Sequence, residues 1–345
     1  MRQNIILVSF TVLILSSCMT SSVMLDVQRP ADITLSQHIK DVVIVDRSRP
    51  SKDNLAGNII EGLISGEGIG YDRKGAEYCI QGLSDILSES NRYRLRNFGS
   101  SMNIPGIGTA TLDEPLDWDE VLSICGSYDS DAILVLEAFD SDSRTIVGDP
   151  VRRIKKVKGV NVKEIRYPAS LIMEIRSGWR IYDVHNKIIV DENIFTEVKE
   201  YKSYGFSPDD AIRNLPAKNS AIRSSGIFAG RQYGLRISPA WVKIRRNYFI
   251  GKHDDLKLAK SYIKNGDWNA AIEIWKDLTE CPDKKIAGRA SYNLAVSSEL
   301  KGVLDVAIEW ANKSRELGEK KAAKYINVLH IRRMNEKKLK QQLNN

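Results

Sequence analysis

The side chains that most often carry enzyme chemistry are scattered through this sequence. The four histidines lie far apart, and none has a second ligand or a carboxylate at helical spacing. The sequence contains neither a G-x-S-x-G serine motif nor a phosphate-binding loop. We therefore predict a protein without catalytic activity, cofactor or metal. An unrecognised hydrolase stays open as an alternative, because carboxylates that only folding brings together leave no mark in one sequence.

Cys18 is the residue with the clearest chemical prediction. It follows an apolar stretch, Ile5 to Leu15, that has the length of a signal-peptide core and is too short to span a membrane. Leu15-Ser16-Ser17-Cys18 resembles the lipobox, in which the Cys thiol receives diacylglycerol and becomes the new amino terminus. We predict a signal peptide over residues 1–17 and a lipid on Cys18. The alternative is an ordinary signal peptide followed by a chance cysteine.

The charges are mixed except in one basic segment. The 345 residues carry a net charge of +7, and cations and acids alternate through most of the chain. Such a mild excess argues against nucleic-acid binding. The basic segment contains Arg152, Arg153, Lys155, Lys156 and Lys158. A loop carrying these cations could contact anionic lipid headgroups. We favour the alternative, a mobile solvated loop, because no aromatic residue interleaves with the cations.

The cysteines that remain after lipidation allow one disulfide. Cys79 and Cys125 each fall on the apolar side of a predicted helix in the same domain, so a bridge between them is one interpretation. Two small buried thiols are the interpretation that we favour, since nothing in the sequence fixes the Cα geometry that a disulfide needs.

Residues 32–250 are predicted to form an α/β domain. The β-branched run Val42–Val45 and the apolar run Ala132–Leu136 indicate strands. Between them, apolar residues recur every three or four positions after Asp72, which predicts a helix. The glycine-rich residues 54–70 are interpreted as a loop. Residues 18–31 are polar and without pattern, which predicts a flexible tether between the lipid and the fold.

The second part of this domain is predicted to be antiparallel. Apolar residues alternate with charged ones over 171–184, a turn follows at 185–187, and the alternation returns up to Val198. Ser207-Pro208 is a strong helix start, with a hydroxyl cap and a proline in the first turn. The segment from Trp241 to Ile250 indicates a last strand. We expect a mixed sheet that includes one antiparallel hairpin.

From residue 251 onward the sequence repeats. The first copy has small and aromatic residues at fixed spacing: Ala259, Tyr262, Gly266, Trp268, Ala271 and Trp275. The second copy follows roughly 36 residues later: Ala295, Gly302, Asp305, Ala307 and Trp310. This frame resembles the tetratricopeptide repeat, and Ala322 with Tyr325 resembles the opening of a third copy. The resemblance implies an all-α domain of helical hairpins over 251–345, closed by a capping helix, and hence an α+β chain.

Further resemblances concern the amino-terminal domain and the whole chain. The segments Gly82–Leu87, Asp129–Val135 and Trp179–Val184 resemble the α/β domain shared by the curli-secretion lipoprotein, the penicillin-binding-protein activator lipoproteins and the TolB amino-terminal domain. With Arg29-Pro30-Ala31 and Ser238–Trp241, the chain is similar to a family of uncharacterised tetratricopeptide lipoproteins. This resemblance implies no activity.

Helical geometry then predicts a partner site. In tetratricopeptide stacks the first helix of each pair lines the concave face. Counting from Ala259 and Ala295 selects a set of groove residues, and six of them are predicted to bind the partner: His253, Lys260, Lys264, Arg289, Tyr292 and Glu299. Their cations and tyrosine fit an acidic or carboxylate-ended peptide of another envelope protein. The alternative is that this face packs against the α/β domain.

These features together predict a role. We expect a non-catalytic protein, lipid-anchored in the bacterial cell envelope, whose repeats recruit or assemble another envelope protein. The segment Met19–Ser22 lacks early acids, which favours the periplasmic face of the outer membrane. The alternatives are an oligomeric transport component similar to the curli-secretion lipoprotein and an activator of a cell-wall enzyme.

Overall fold

The computed structural model describes residues 19–51, 66–90, 92–97, 102–157 and 160–344. The chain divides into two compact units. One, here called the helical unit, comprises Met1–Gln28 and Trp241–Lys340, and the other, the sheet unit, comprises Arg29–Ala240 and Gln341–Asn345. Most strands lie in the amino-terminal half and most helices in the carboxy-terminal half, so the predicted α+β class is confirmed.

The bounds of the elements are as follows. The strands are β1 (Thr20–Arg29), β2 (Asp41–Asp46), β3 (Arg94–Leu95), β4 (Met102–Asn103), β5 (Ala132–Val147), β6 (Val151–Val157), β7 (Val160–Asp183), β8 (Ile188–Gly205) and β9 (Ala240–Phe249). The helices are α1 (Gly66–Glu89), α2 (Trp118–Tyr128), α3 (Pro208–Arg213), α4 (Lys218–Ile237), α5 (Asp254–Lys264), α6 (Trp268–Leu278), α7 (Lys284–Leu300), α8 (Leu304–Glu316) and α9 (Lys320–Asn344).

The sheet unit is built on a mixed sheet. Its strand order is β3-β2-β5-β7-β6, with β4 beside β2 and β8 beside β7. Strand β2 runs parallel to β5, whereas β5, β7 and β8 are antiparallel. The predicted mixed sheet and hairpin are therefore present, and the hairpin is longer than its alternating pattern indicated.

The sheet has a hydrophobic core on each face, because successive side chains of a strand point to opposite sides. Ile44 and Leu134 belong to the core that α1 and α4 cover, and Val43 and Ile133 belong to the core that α2 covers. Cys79 lies in the first core and Cys125 in the second. Both thiols are free, so the structure forms the buried thiols and not the disulfide. Burial raises the pKa of both.

Helices α1 and α4 meet through glycines. Gly226, Gly230 and Gly234 recur every four residues and so share one face of α4. A Cβ atom on Gly230 would overlap the carbonyl oxygen of Cys79, and one on Gly82 would overlap the carbonyl oxygen of Ile227. The two helix backbones therefore touch without side chains between them.

Two segments predicted from the sequence to lack secondary structure are wrong in part. Residues 66–70, predicted as loop, form the first turn of α1, while residues 54–65 of that loop lie outside the described residues. Residues 20–29, predicted as a flexible tether, form β1 and pair with β9. The two compact units divide between Ala240 and Trp241, close to the domain boundary predicted after residue 250.

The helical unit contains two helical hairpins and a last helix, as predicted for residues 251–345. The alanines expected at the helix crossings are fully buried: Ala259, Ala271, Ala295, Ala307 and Ala322. Asp267 and Asp283 cap α6 and α7 by accepting backbone N–H groups. Every element described within residues 251–345 is a helix, as predicted, and the helical unit also contains β1 and β9, which lie outside that range.

Candidate functional site

The six residues predicted to line the repeat groove fall into two groups. Lys260 and Lys264 are exposed, and His253 caps α5, its Nδ1 accepting the Asp255 N–H at 3.3 Å. The other three are buried: Arg289, Tyr292 and Glu299. The prediction that these three bind a partner directly is wrong, because packing within the helical unit covers them.

Strand β9 packs against the side of the helices that carries these three buried residues. Phe249 packs edge-on against Tyr292, with ring centroids 5.3 Å apart. The side-chain amide of Asn293 accepts the Phe249 N–H at 2.7 Å and donates to the Phe249 carbonyl at 2.8 Å. Asn293 thus satisfies the backbone of an extended segment, as a peptide groove would. The occupant here is part of the same chain and the same unit.

Glu299 locks β9 to the helices. It is fully buried and accepts two hydrogen bonds from Arg246 of β9, at 2.7 and 2.9 Å. The Tyr325 hydroxyl donates to it at 2.6 Å, and Arg332 lies 2.8 Å away. Burial alone would raise the pKa of Glu299, but these partners outweigh it and hold that pKa below its usual range. This geometry is that of a structural ion cluster.

A second buried ion cluster, which the sequence analysis missed, lies where the parallel strands β2 and β5 end. The fully buried Glu137 lies at a β-bulge in β5 and contacts Arg180 at 2.7 Å and Arg47 at 3.1 Å. Burial raises the pKa of Glu137, and the two guanidinium groups oppose this. The carboxyl ends of parallel strands often bind ligands. Here arginines already neutralise the carboxylate. The sequence feature that could have indicated this cluster was an acidic residue within an apolar strand.

The predicted basic loop is instead a two-stranded ribbon. It consists of β6 and residues 160–166 of β7, paired from Val151 opposite Arg166 to Val157 opposite Val160. Strands β5 and β8 pair only with later residues of β7, so the ribbon extends past them. We call β6 and residues 160–166 the ribbon. The interpretation as a mobile loop is wrong, because inter-strand hydrogen bonds order these residues.

Exposed side chains lie on both faces of the ribbon. Ile154 and Val160 expose 68% and 64% of their surface. Among the predicted membrane-contacting cations, Arg152, Arg153 and Lys155 are exposed, Lys156 lies in β6, and Lys158 lies outside the described residues. Aromatic residues do accompany these cations. The guanidinium of Arg153 stacks 3.6 Å from the ring centre of Tyr204, and that of Arg166 lies 3.5 Å from that of Phe206.

Comparison with known proteins identifies the family of this chain but assigns it no activity. A family described as "Domain of unknown function (DUF8603)" matches residues 39–249, more than half of the chain. The chain belongs to the DUF8603 family. A second domain of unknown function, DUF6340, matches residues 257–341. The DUF8603 region therefore runs from before β2 to the end of β9, and the DUF6340 region lies within α5–α9.

Other comparisons are distant or absent. No curated protein matches the chain. The chain is similar to a solved structure from Helicobacter pylori described as a homolog of the neuraminyllactose-binding hemagglutinin, with 10% sequence identity and a TM-score of 0.23. That match covers 59% of this chain and 90% of the other.

Two features are absent from the described residues. No group of three or more His, Cys, Asp or Glu side chains within them is arranged to hold a metal ion. In the same residues, no helix is both long enough and apolar enough to cross a membrane. Cys18 lies outside the described residues, so its lipidation stays a prediction from sequence.

Arg289 is a buried cation that pairs with no carboxylate among the described residues. It is only 3% exposed, and its Nε and Nη1 have no hydrogen-bond partner among the described residues. Its Nη2 lies 3.9 Å from the Met19 sulfur, and its guanidinium lies 5.1 Å from the ring centre of Phe249. The contact with the Phe249 ring offsets only part of the desolvation free energy of this buried guanidinium.

Arg289→Met is therefore expected to increase the free energy of unfolding of the helical unit by about 1 kcal/mol or more, because it removes an unpaired buried charge and keeps the side-chain volume. Thermal unfolding followed by circular dichroism measures this. Lys321→Met is the control, since the exposed Lys321 contacts the same Phe249 ring. A lower stability for Arg289→Met alone would show that its guanidinium is well solvated or paired in solution.

Proposed function

We propose that this chain is a non-catalytic, lipid-anchored protein of the bacterial cell envelope that acts by binding other envelope components. In this proposal Cys18 carries the lipid, at the periplasmic face of the outer membrane, and the ribbon is the binding element. The observation that carries the proposal is the ribbon, whose aliphatic and cationic side chains are exposed together.

The low stability expected of an isolated ribbon and its exposed aliphatic surface support a binding role. An isolated two-stranded ribbon is marginally stable in water, and exposed aliphatic clusters usually mark contact sites. Ile154, Val160 and Ile165 each expose more than half of their surface. These residues contribute to neither hydrophobic core of the sheet unit. A component that covers them would stabilise both the ribbon and the complex.

The buried charges support a structural role for the interior and thus a non-catalytic protein. Glu137 is matched by Arg47 and Arg180, and Glu299 by Arg246 and Arg332. A catalytic carboxylate usually needs a pKa set for proton transfer and access to substrate. Both carboxylates are fully buried and held by guanidinium groups.

A ribbonless variant tests the proposal. Residues 149–167 are replaced by Asn-Gly, which suits a two-residue hairpin turn, because the Gly148 N–H already donates to the Pro168 carbonyl at 3.0 Å. We expect an unchanged melting temperature and the loss of the cross-links, to lipid or to protein, that the wild-type protein forms in intact envelopes. When envelopes are washed with high salt, Cys18→Ala is expected to be released from the membrane fraction and the wild type to be retained, since an unlipidated signal segment is a poor anchor and salt screens the ribbon cations.

The control is Lys260→Glu with Lys264→Glu, which changes two exposed cations of α5. This double variant is expected to keep the cross-links, because the ribbon is intact. If the ribbonless variant keeps its fold and its full set of cross-links, the ribbon is not the binding element and the proposal fails.

A further inference from the structure

The composition of the ribbon indicates what it binds. Its described residues carry six cations and a single acid, Glu164; the cations are Arg152, Arg153, Lys155, Lys156, Lys163 and Arg166. A surface with this charge attracts an anionic partner, and each cation near an anionic membrane contributes about fivefold to affinity. The aliphatic residues between the cations add an apolar contribution.

The two faces of the ribbon are alike. Residues paired across the strands share a face, so the register places Arg152, Ile154 and Ile165 on one face. The opposite face carries Arg153, Lys155, Val160 and Val162 by the same register. A folded protein partner usually covers one face of a ribbon. A partner that meets cations and aliphatic groups on both faces must surround it, as the boundary between phospholipid headgroups and acyl chains does.

Aromatic residues complete this pattern at the base of the ribbon. Phe206 is 66% exposed, and Tyr204 lies beneath the stacked guanidinium of Arg153. Stacking uses the flat face of a guanidinium and leaves its N–H edge directed outward, where it can donate to a phosphate. Aromatic rings with one polar edge are enriched at the membrane interface.

We infer that the partner of the ribbon is the anionic headgroup layer of a phospholipid membrane, into which the ribbon inserts its aliphatic side chains while its cations bind phosphates. This inference rests on the proposed function, in which the ribbon is the binding element. It makes the ribbon a second membrane contact, independent of the lipid on Cys18. The ribbon adds to the anchoring by that lipid, because two linked contacts dissociate more slowly than either alone.

The test uses the chain from residue 19 to 345, produced without lipid so that only protein surfaces can bind. Cosedimentation is measured with vesicles of phosphatidylcholine alone and with vesicles containing one third phosphatidylglycerol. We expect binding to the phosphatidylglycerol vesicles, weak binding to phosphatidylcholine, and a steady loss of affinity as salt is added.

Matched charge reversals locate the contact. Arg152→Glu with Lys155→Glu changes one exposed residue on each face of the ribbon and is expected to lower the affinity for phosphatidylglycerol vesicles at least 25-fold. Lys260→Glu with Lys264→Glu makes the same change of charge on α5 and is expected to stay within twofold of wild type. Equal melting temperatures show that both variants are folded.

Other outcomes overturn the inference in distinguishable ways. No preference for phosphatidylglycerol, or equal losses for the two double variants, rules out the ribbon as an anionic-membrane contact. If vesicles do not bind while the ribbonless variant still loses its envelope cross-links, the partner is a protein and only this inference fails. Dimers that disappear in the ribbonless variant, seen by sedimentation velocity, would make the partner a second copy of the chain. If neither assay responds to the ribbonless variant, both proposals fail.

Discussion

Glu299→Ala is expected to lower the free energy of unfolding of the helical unit by about 3–5 kcal/mol, because it leaves Arg246 and Arg332 without their buried counter-charge. It also removes the acceptor of the Tyr325 hydroxyl. Loss of this cluster should release β9 from the inner face of the helices. Hydrogen exchange of the α7–α9 amides, together with denaturant unfolding, measures both the size and the location of the effect.

The same variant should change the response to acid. The pKa of Glu299 is depressed in the folded chain, so the native state binds fewer protons than the unfolded state as Glu299 titrates. The stabilisation is complete above the unfolded pKa and is lost as the pH falls through the folded pKa. Below about pH 5 the wild-type helical unit should therefore lose stability more steeply than Glu299→Ala.

Glu309→Ala is the control for both measurements, because Glu309 is exposed on α8. We expect it to change the free energy of unfolding by no more than about 0.5 kcal/mol. A Glu299→Ala variant as stable as this control would show that the cluster contributes nothing beyond its desolvation cost.

Gly230→Ala is the second variant with a large expected effect. It should lower the free energy of unfolding of the sheet unit by about 3 kcal/mol or more. The added Cβ would overlap the carbonyl oxygen of Cys79, which is a backbone atom of α1 and cannot rotate away. Helix α4 would have to move off α1 and open the core around Leu83, which is fully buried. Denaturant unfolding followed by circular dichroism measures the loss.

Gly126→Ala is the same substitution at a position where we expect the free energy of unfolding to rise. Gly126 lies within α2, and a Cβ there would meet no heavy atom within 4 Å. Alanine should stabilise this helix by about 0.4–1 kcal/mol, because it restricts the unfolded chain. If Gly230→Ala also stabilised the protein, the close contact of α1 and α4 would be disproved.

Local patterns were enough to predict much of the fold. The β-branched run at Val42–Val45 became β2, the alternation from Leu171 became part of β7, and Ser207 caps α3 by accepting the Asp210 N–H at 3.1 Å. The repeat pattern predicted the helices after residue 251. The spacing of apolar residues indicates which face of a segment is buried, and a few neighbouring residues are enough to show it.

The sites were less predictable, since they depend on residues that are distant in sequence. Arg289, Tyr292 and Glu299 were predicted to line a groove open to a partner, but all three are buried, and β9 packs against this side of the helices. Cys79 and Cys125 were both predicted to be inward-facing, yet the sheet lies between them. Glu137 points into the ion cluster at a bulge that only the pairing of β5 with β7 creates.

The sequence by itself thus determined the periodic helices and strands, which depend on residues close together in the chain. Only the tertiary structure decided that residues 20–29 pair with β9, and that the basic segment is an ordered ribbon. A polar segment has little preference for strand or coil until a partner strand satisfies its backbone hydrogen bonds. For β1 that partner lies more than two hundred residues away, beyond the reach of any local pattern.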